Sequence, residues 1–229
     1  KYMSDVNVWN KINLNNFIAN RHFPSEMILR ATVSSNYFST QFFPTKNKKV
    51  LDIGSLFANN LVPFSDREMK LFGTEVTDES VSICKEMCKI QGLEAIIKKG
   101  FNIDLPFDSE SFDLVLSIAT IHYEESLDKV MQALKEFRRV TKPGGSCVIK
   151  TVAPEHSIFV QSKKTKAGNF ILKNPNDLRN DQQFYFFENS SILLNLVSEY
   201  FDNVEIARIT ERYPKNCLDF YLLKCDVSK

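Results

Sequence analysis

The residues with the clearest chemical potential lie at the end of a short apolar run. Val50-Leu51-Asp52-Ile53 reads as a strand, and Gly54 closes it. A glycine has no Cβ, so a ligand can approach the backbone closely there. The helix expected next offers unpaired N–H groups and its positive dipole end to a carboxylate. Glu75 follows Gly54 by 75 − 54 = 21 residues and stands at the end of a second strand. A carboxylate in that place can accept both hydroxyls of a ribose. The bland alternatives are a plain strand-to-helix turn at Gly54 and a solvated acid at Glu75. His122 stands in Ala119-Thr120-Ile121-His122-Tyr123, just past a fourth apolar strand. Its ordinary pKa suits proton transfer near neutrality, which makes it the candidate catalytic base, with Tyr123 second. The competing reading is a histidine that packs at a helix start. His156 follows the fifth strand, and Arg21 and His22 either cover the ligand or face solvent.

These residues need elements to position them. Strands are expected at Lys49–Ile53, Met69–Val76, Ala95–Ile97, Phe112–Ser117 and Ser146–Lys150, then at Val204–Ile209 and Leu218–Cys225. The fourth is almost wholly apolar, as a strand buried on both faces should be. Asp78, Glu79 and Ser80 open a helix that Gly92 stops, and Leu127–Val140 is an amphipathic helix broken by Pro143-Gly144-Gly145. A last helix, Ser190–Phe201, is capped by Asn189 or Ser190. Strands alternating with helices imply a mostly parallel sheet with helices on both faces. The final two strands have no helix between them and should form an antiparallel hairpin at one edge. Residues 1–45 are expected to be an N-terminal helical cap, with a helix starting at Pro24-Ser25-Glu26. The main domain is expected over 46–229, and its polar segment 154–183 is a candidate lid loop.

The bulk properties narrow the functional classes. A chain of 229 residues with 43% hydrophobic content supports one ordinary domain. With 29 basic and 28 acidic residues, no nucleic-acid partner is expected from charge. The basic clusters Lys46-Asn47-Lys48-Lys49 and Lys163-Lys164-Thr165-Lys166 are short. Five cysteines at loose spacing (84, 88, 147, 217 and 225) fit reduced thiols rather than a metal site. No apolar run reaches membrane-spanning length, so no membrane partner and a cytoplasmic location are expected.

Two further segments add specificity. Asp104-Leu105-Pro106-Phe107 runs on to Ser111-Phe112-Asp113-Leu114-Val115, and Arg139-Val140-Thr141-Lys142-Pro143-Gly144-Gly145 precedes the fifth strand. With Val50–Gly54 and Glu75, they stand in the order and spacing of the class I S-adenosylmethionine-dependent methyltransferases, which this chain resembles over roughly residues 46–151. The resemblance implies an α/β, Rossmann-like sheet of seven strands in the order 3-2-1-4-5-7-6, mostly parallel, and S-adenosylmethionine as cofactor. It implies that Asp52 and Gly54, with Ser55, flank the methionine part. Glu75 would hold the ribose and Val76 would pack on the adenine. Ser117 and Ile118 would line the sulfonium end.

The chain departs from that family at three positions. Leu56 and Ala58 stand where the family has its second and third glycines, and Phe101 stands where an acid often accepts from the adenine amino group. Asn102 is the neighbouring substitute. The reading that follows is a methyltransferase acting on a small-molecule acceptor. A sugar or surface-glycan precursor is the narrower expectation, implied by the similarity of Phe23-Pro24-Ser25-Glu26, followed by apolar residues and Arg30, to a stretch in methyltransferases associated with sugars and surface polysaccharides. Tyr37-Phe38, Phe42-Phe43 and Phe184-Tyr185-Phe186-Phe187 are either core or acceptor-pocket aromatics. The alternative of another class is a non-catalytic binding or partner module of the same fold. A dehydrogenase is disfavoured, because Gly54-Ser55-Leu56-Phe57-Ala58-Asn59 lacks two of the three glycines of that fingerprint.

Overall fold

The computed structural model describes residues 8–9, 23–34 and 36–229. Arg21, His22 and nearly half of the expected N-terminal cap lie outside the described residues.

Seven strands form the main sheet: β1 (Lys49–Ile53), β2 (Lys70–Glu75), β3 (Ala95–Lys99), β4 (Phe112–Ile118), β5 (Thr141–Val152), β9 (Asp202–Tyr213) and β10 (Asn216–Asp226). Their order is β3-β2-β1-β4-β5-β10-β9. Counted within this sheet alone, that is 3-2-1-4-5-7-6. The first five strands run parallel, and β10 pairs antiparallel with both β5 and β9. Neighbouring residues along each central strand face opposite layers. Leu51, Val115, Ile149 and Leu223 join the core beneath the helices Leu127–Val140 and Ser190–Ser198. Val50, Leu114, Val148 and Leu222 join the core on the other face, with Ile28, Val81 and Cys84. Burial on both sides explains why these strands read as continuous apolar runs.

Six helices are described: α1 (Glu26–Thr32), α2 (Val62–Ser65), α3 (Asp78–Gln91), α4 (Leu127–Val140), α5 (Ser157–Val160) and α6 (Ser190–Ser198). Thr77 caps α3 in a reciprocal capping box with Ser80, and Gly92 ends it in the left-handed conformation. Asn189 caps α6, accepting from the Ile192 N–H at 3.0 Å. α1 carries Ile28 and Ala31 into the core, and Ser25 precedes it without a side-chain cap bond.

Three local expectations are corrected. The crossover after β1 is not one long helix but a 3-10 turn, Asn59–Leu61, and the four-residue α2, so the helix-dipole argument at Gly54 falls away. β5 does not start at Ser146. It begins at Thr141, directly after α4, and absorbs Pro143-Gly144-Gly145 with a register shift against β4. The segment 154–183 is not irregular: it contains α5, β6 (Ser162–Lys164) and β7 (Phe170–Leu172), and with β8 (Gln183–Phe184) these strands make a separate three-stranded sheet. That sheet folds over a cluster that includes Phe159, Leu172 and Phe184. Among the described residues no helix is long and apolar enough to cross a membrane.

The segments around Leu105 and Arg139 are staples of this fold. The Arg139 guanidinium donates to the carbonyls of Phe107 (2.7 Å) and Leu105 (3.0 Å) and pairs with Glu136. Glu136 in turn accepts the Leu105 N–H at 2.9 Å. At the starts of the central strands, the Asp113 carboxylate accepts from the Lys49 N–H (2.8 Å) and the Lys142 ammonium (2.9 Å). A Cβ on Gly145 would meet the carbonyl oxygens of Lys142 (2.9 Å) and Asp113 (3.1 Å), so β4 and β5 require glycine there.

Candidate active site

At the other end of the sheet the carboxyl ends of β1, β2 and β4 and the turn after β3 border a cavity of about 290 Å³. Ligands bind in this place in open parallel sheets. Gly54, Glu75, Val76, Asn102 and Ile118 line it. Asp52, Ser55, Ser117 and His122 are not in the lining and are all buried.

The turn after β1 shows how the sequence shapes the first wall. Gly54 turns at φ +68°, and Leu56 and Ala58 also adopt left-handed angles, +48° and +57°. Ser55 points back, its hydroxyl donating to the Asp52 carbonyl at 2.6 Å. That hydroxyl occupies the space left by Gly73, where a Cβ would lie 2.1 Å from it. The Leu56 N–H donates to the Glu75 carboxylate at 2.5 Å, so the turn closes onto the end of β2. Burial raises the Glu75 pKa to about 7, and the Leu56 bond opposes that shift. Asp52 is fully buried, with one carboxyl oxygen unpartnered and the other 3.5 Å from the Asn60 amide. Burial raises its pKa to about 8, so its carboxyl is protonated at neutral pH and can donate.

The opposite wall comes from residues that the sequence did not single out for this site, among them Trp9, Thr120, Glu124, Arg179 and Gln182, with Tyr123 between them. Trp9 and Tyr123 meet edge to face at 5.4 Å. The Arg179 guanidinium forks onto the Asp177 carboxylate at 2.9 and 2.8 Å. Glu124 accepts from the Asn102 amide at 2.9 Å through one oxygen, and its other oxygen is buried without a partner. Arg179 and Gln182 belong to the inserted segment, which is fastened to the turn after β4. Tyr185 N–H donates to the His122 carbonyl (2.7 Å), and the Asn169 and Gln183 amides both donate to the Glu125 carbonyl (2.9 Å).

Comparison with known proteins bears on this geometry. The family described as "Methyltransferase domain" matches residues 51–149, the span from β1 to β5 that builds the cavity floor. A SAM-dependent methyltransferase from Methanosarcina mazei superposes with a TM-score of 0.65 at 16% identity, covering 81% of this chain and 95% of its own. Residues 51–149 match a methyltransferase domain, and the sheet that carries them has the fold of that SAM-dependent methyltransferase. Among curated relatives, the human "Probable tRNA methyltransferase 9B" is 37% identical over 70 residues, 31% of this chain and 15% of that protein. The Caenorhabditis elegans "Sterol 4-C-methyltransferase" is 30% identical over 107 residues, 46% of this chain and 31% of that protein. The chain therefore spans well under half the length of these relatives.

Within the matched span, two residues at the departures from the glycine pattern take the backbone conformation that glycine favours. Leu56 and Ala58 hold left-handed angles at about 1–2 kcal/mol per residue, and Ala58 is wholly buried. The histidine expectation fares differently. His122 is 2% exposed, its Nδ1 lies 3.2 Å from the Thr151 hydroxyl, and its ring packs between Tyr123 and Phe184. Burial first, then the nearby charge of Arg179, lowers its pKa to about 3. Buried and absent from the lining, the ring is placed as the packed-histidine reading has it and not at the cavity surface. His156 is likewise turned to structure, its Nδ1 accepting the Ile158 N–H at 3.1 Å. The aromatic groups resolve as core or surface. Phe184 and Phe187 are buried, Tyr37 and Phe43 are exposed, and none of them lines the cavity. The composition of the second wall carried no sequence signal, because its members come from separate elements and lie in no motif.

Proposed function

We propose that this chain is an S-adenosylmethionine-dependent methyltransferase acting on a small-molecule acceptor. The observation that carries the reading is the cavity itself. It joins the strand-end carboxylate Glu75 to a second wall drawn from Trp9, the turn after β4 and the insert, around a partly open space of about 290 Å³.

The residues present fit the cofactor. Glu75 offers a carboxylate to the ribose hydroxyls, and Val76, Phe101 and Ile118 offer apolar faces to the purine. Gly54 and the turn that follows would cradle the methionine part, with Asp52 and Ser55 supporting that turn from behind. Asn102 stands at the purine edge. Ser117, bonded to Thr120 at 2.7 Å, sets the wall near the sulfonium together with Ile118. When bound, the cofactor supplies a methyl group on a sulfonium sulfur, an electrophile that leaves alignment and water exclusion to the protein. Trp9, Tyr123 and Gln182 would provide that exclusion on the acceptor side. In this reading the segment 154–183 is a built wall over the 46–229 domain rather than a free lid.

The small-molecule reading is supported by the size of the cavity and by charge. The Lys46–Lys49 cluster is tied up, with Lys46 paired to Glu68 at 2.8 Å and Lys48 donating to the Phe43 carbonyl at 2.7 Å. The narrower sugar or glycan-precursor acceptor gains no support from position, because Phe23–Glu26 leads into α1 on the sheet face and is absent from the lining. The test uses S-adenosylmethionine labelled in the methyl group, incubated with separated small-molecule and RNA fractions. Label in the small-molecule fraction is expected, and label confined to RNA would refute the acceptor class. The side chains at Leu56 and Ala58 favour a second reading, a non-catalytic module. Calorimetry with S-adenosylhomocysteine decides this first: no saturable binding at millimolar concentration would establish the second reading over the first.

A further inference from the structure

Glu124 is unused by the function proposed above. Its residue is 2% exposed, it lines the cavity, and its Oε2 has no hydrogen-bond partner. A buried acceptor left unmade costs about 1–3 kcal/mol, more when charged, so this oxygen is suited to a donor that arrives with a ligand. Where that donor sits follows from the strand ends. Glu75 closes β2, where a carboxylate takes ribose hydroxyls. The base attached to that ribose then falls toward Val76, Gly100, Phe101 and Asn102, which line the same side. A purine carrying an exocyclic amino group needs an acceptor in this sector. Phe101 has none in its side chain. Asn102 donates through its amide nitrogen to the Thr120 carbonyl (3.2 Å) and to Glu124 Oε1 (2.9 Å), which fixes the Glu124 carboxyl, and its own Oδ1 is the competing acceptor in this sector. Glu75 Oε1 is held by the Leu56 N–H.

We propose that Glu124, held in place by Asn102, accepts the exocyclic amino group of the cofactor's adenine. The proposal rests on the cofactor reading above. It makes Glu124 a specificity-determining residue supplied from the turn after β4.

The test compares calorimetric affinities for S-adenosylhomocysteine and for its 6-deamino analogue, in which hydrogen replaces the amino group. Measurements are made at pH 8.5, above the value of about 7 to which burial raises the Glu124 carboxyl. The wild-type protein is expected to prefer the amino compound by about 10- to 100-fold, the range of a hydrogen bond to a charged group. Glu124→Gln keeps an oxygen for Asn102 and turns its NH2 to the ligand, so it is expected to bind the two compounds equally. A merely structural role for Glu124 would move both affinities together and leave their ratio unchanged. Equal wild-type affinities, or a wild-type ratio retained in Glu124→Gln, would overturn the proposal while leaving the cofactor reading intact. Failure of the wild-type protein to bind S-adenosylhomocysteine at all would overturn the cofactor reading, and this assignment with it.

Discussion

The carboxyl group of Glu75 does two jobs that compete. It fastens the turn after β1 through the Leu56 N–H, and it faces the cavity. Glu75→Ala removes both, so the affinity for S-adenosylhomocysteine is expected to fall by about 10- to 100-fold. Calorimetry checks this, and unchanged affinity would remove Glu75 from the ribose site. His122 separates from it experimentally. As a packed, uncharged ring it supports Tyr123 and Phe184. His122→Ala is therefore expected to cost about 2–4 kcal/mol in urea unfolding, as other large buried truncations do. The folded variant should retain S-adenosylhomocysteine binding, and a stability change within 0.5 kcal/mol, the usual scatter of surface substitutions, would contradict the packed reading.

At the scale of elements, the turn Gly54–Ala58 and the clamp at Arg139 behave oppositely under substitution. Leu56 occupies a left-handed backbone site, which a β-branched side chain tolerates poorly. Leu56→Val is expected to destabilise clearly more than Leu56→Gly, in which relief of backbone strain offsets lost packing against Phe57. Equal thermal shifts for the two variants would show that the left-handed turn is not retained in solution. Arg139→Ala strands two loop carbonyls and Glu136, and it should lower unfolding stability by about 1–3 kcal/mol. The urea slope should stay constant, and an unchanged midpoint would refute the clamp.

This contrast explains what could be read in advance. The strands were legible because double-sided burial leaves continuous apolar runs, and their order was legible only through the family that the chain resembles. The segments at Leu105 and Lys142 stood out because each is pinned by several bonds that admit few residue types. The inserted sheet was not legible. Its strands are two or three residues long, below the length at which periodicity registers. The first wall of the cavity could be read because Gly54 and Glu75 sit at fixed distances along the chain. The second wall could not, since Glu124, Arg179 and Gln182 meet only after folding. The placement of His122 could not be read, because proximity to a strand end does not reveal which way a ring points.

For the molecule as a whole, the buried ionisable groups fix how stability responds to pH. Asp52, Glu75 and Glu124 have folded values of about 8, 7 and 7, against about 4 in an unfolded chain. Between those limits the folded protein binds more protons than the unfolded one, so stability declines as pH rises. His122 and His156, lowered to about 3 and 4, act the other way, but only below their ordinary value of about 6.5. Above pH 6.5 the histidine contribution fades and the carboxyls dominate. The ligand-free melting temperature is therefore expected to fall across that window, and Asp52→Asn should flatten the decline. A melting temperature that rises over the same interval would contradict the protonated state of Asp52.

The bonds that hold the fold and the groups that face the ligand lie at opposite ends of one sheet. Arg139 and Asp113 work at the starts of the strands, while Glu75 and Glu124 work at their finishes. Damage in a cell should sort accordingly. Lesions at the first end deplete the amount of protein and leave each surviving molecule competent. Lesions of the ligand-facing groups at the second end lower activity per molecule more than they lower the amount. A population of variants scored separately for abundance and for activity per molecule should split along the length of the strands.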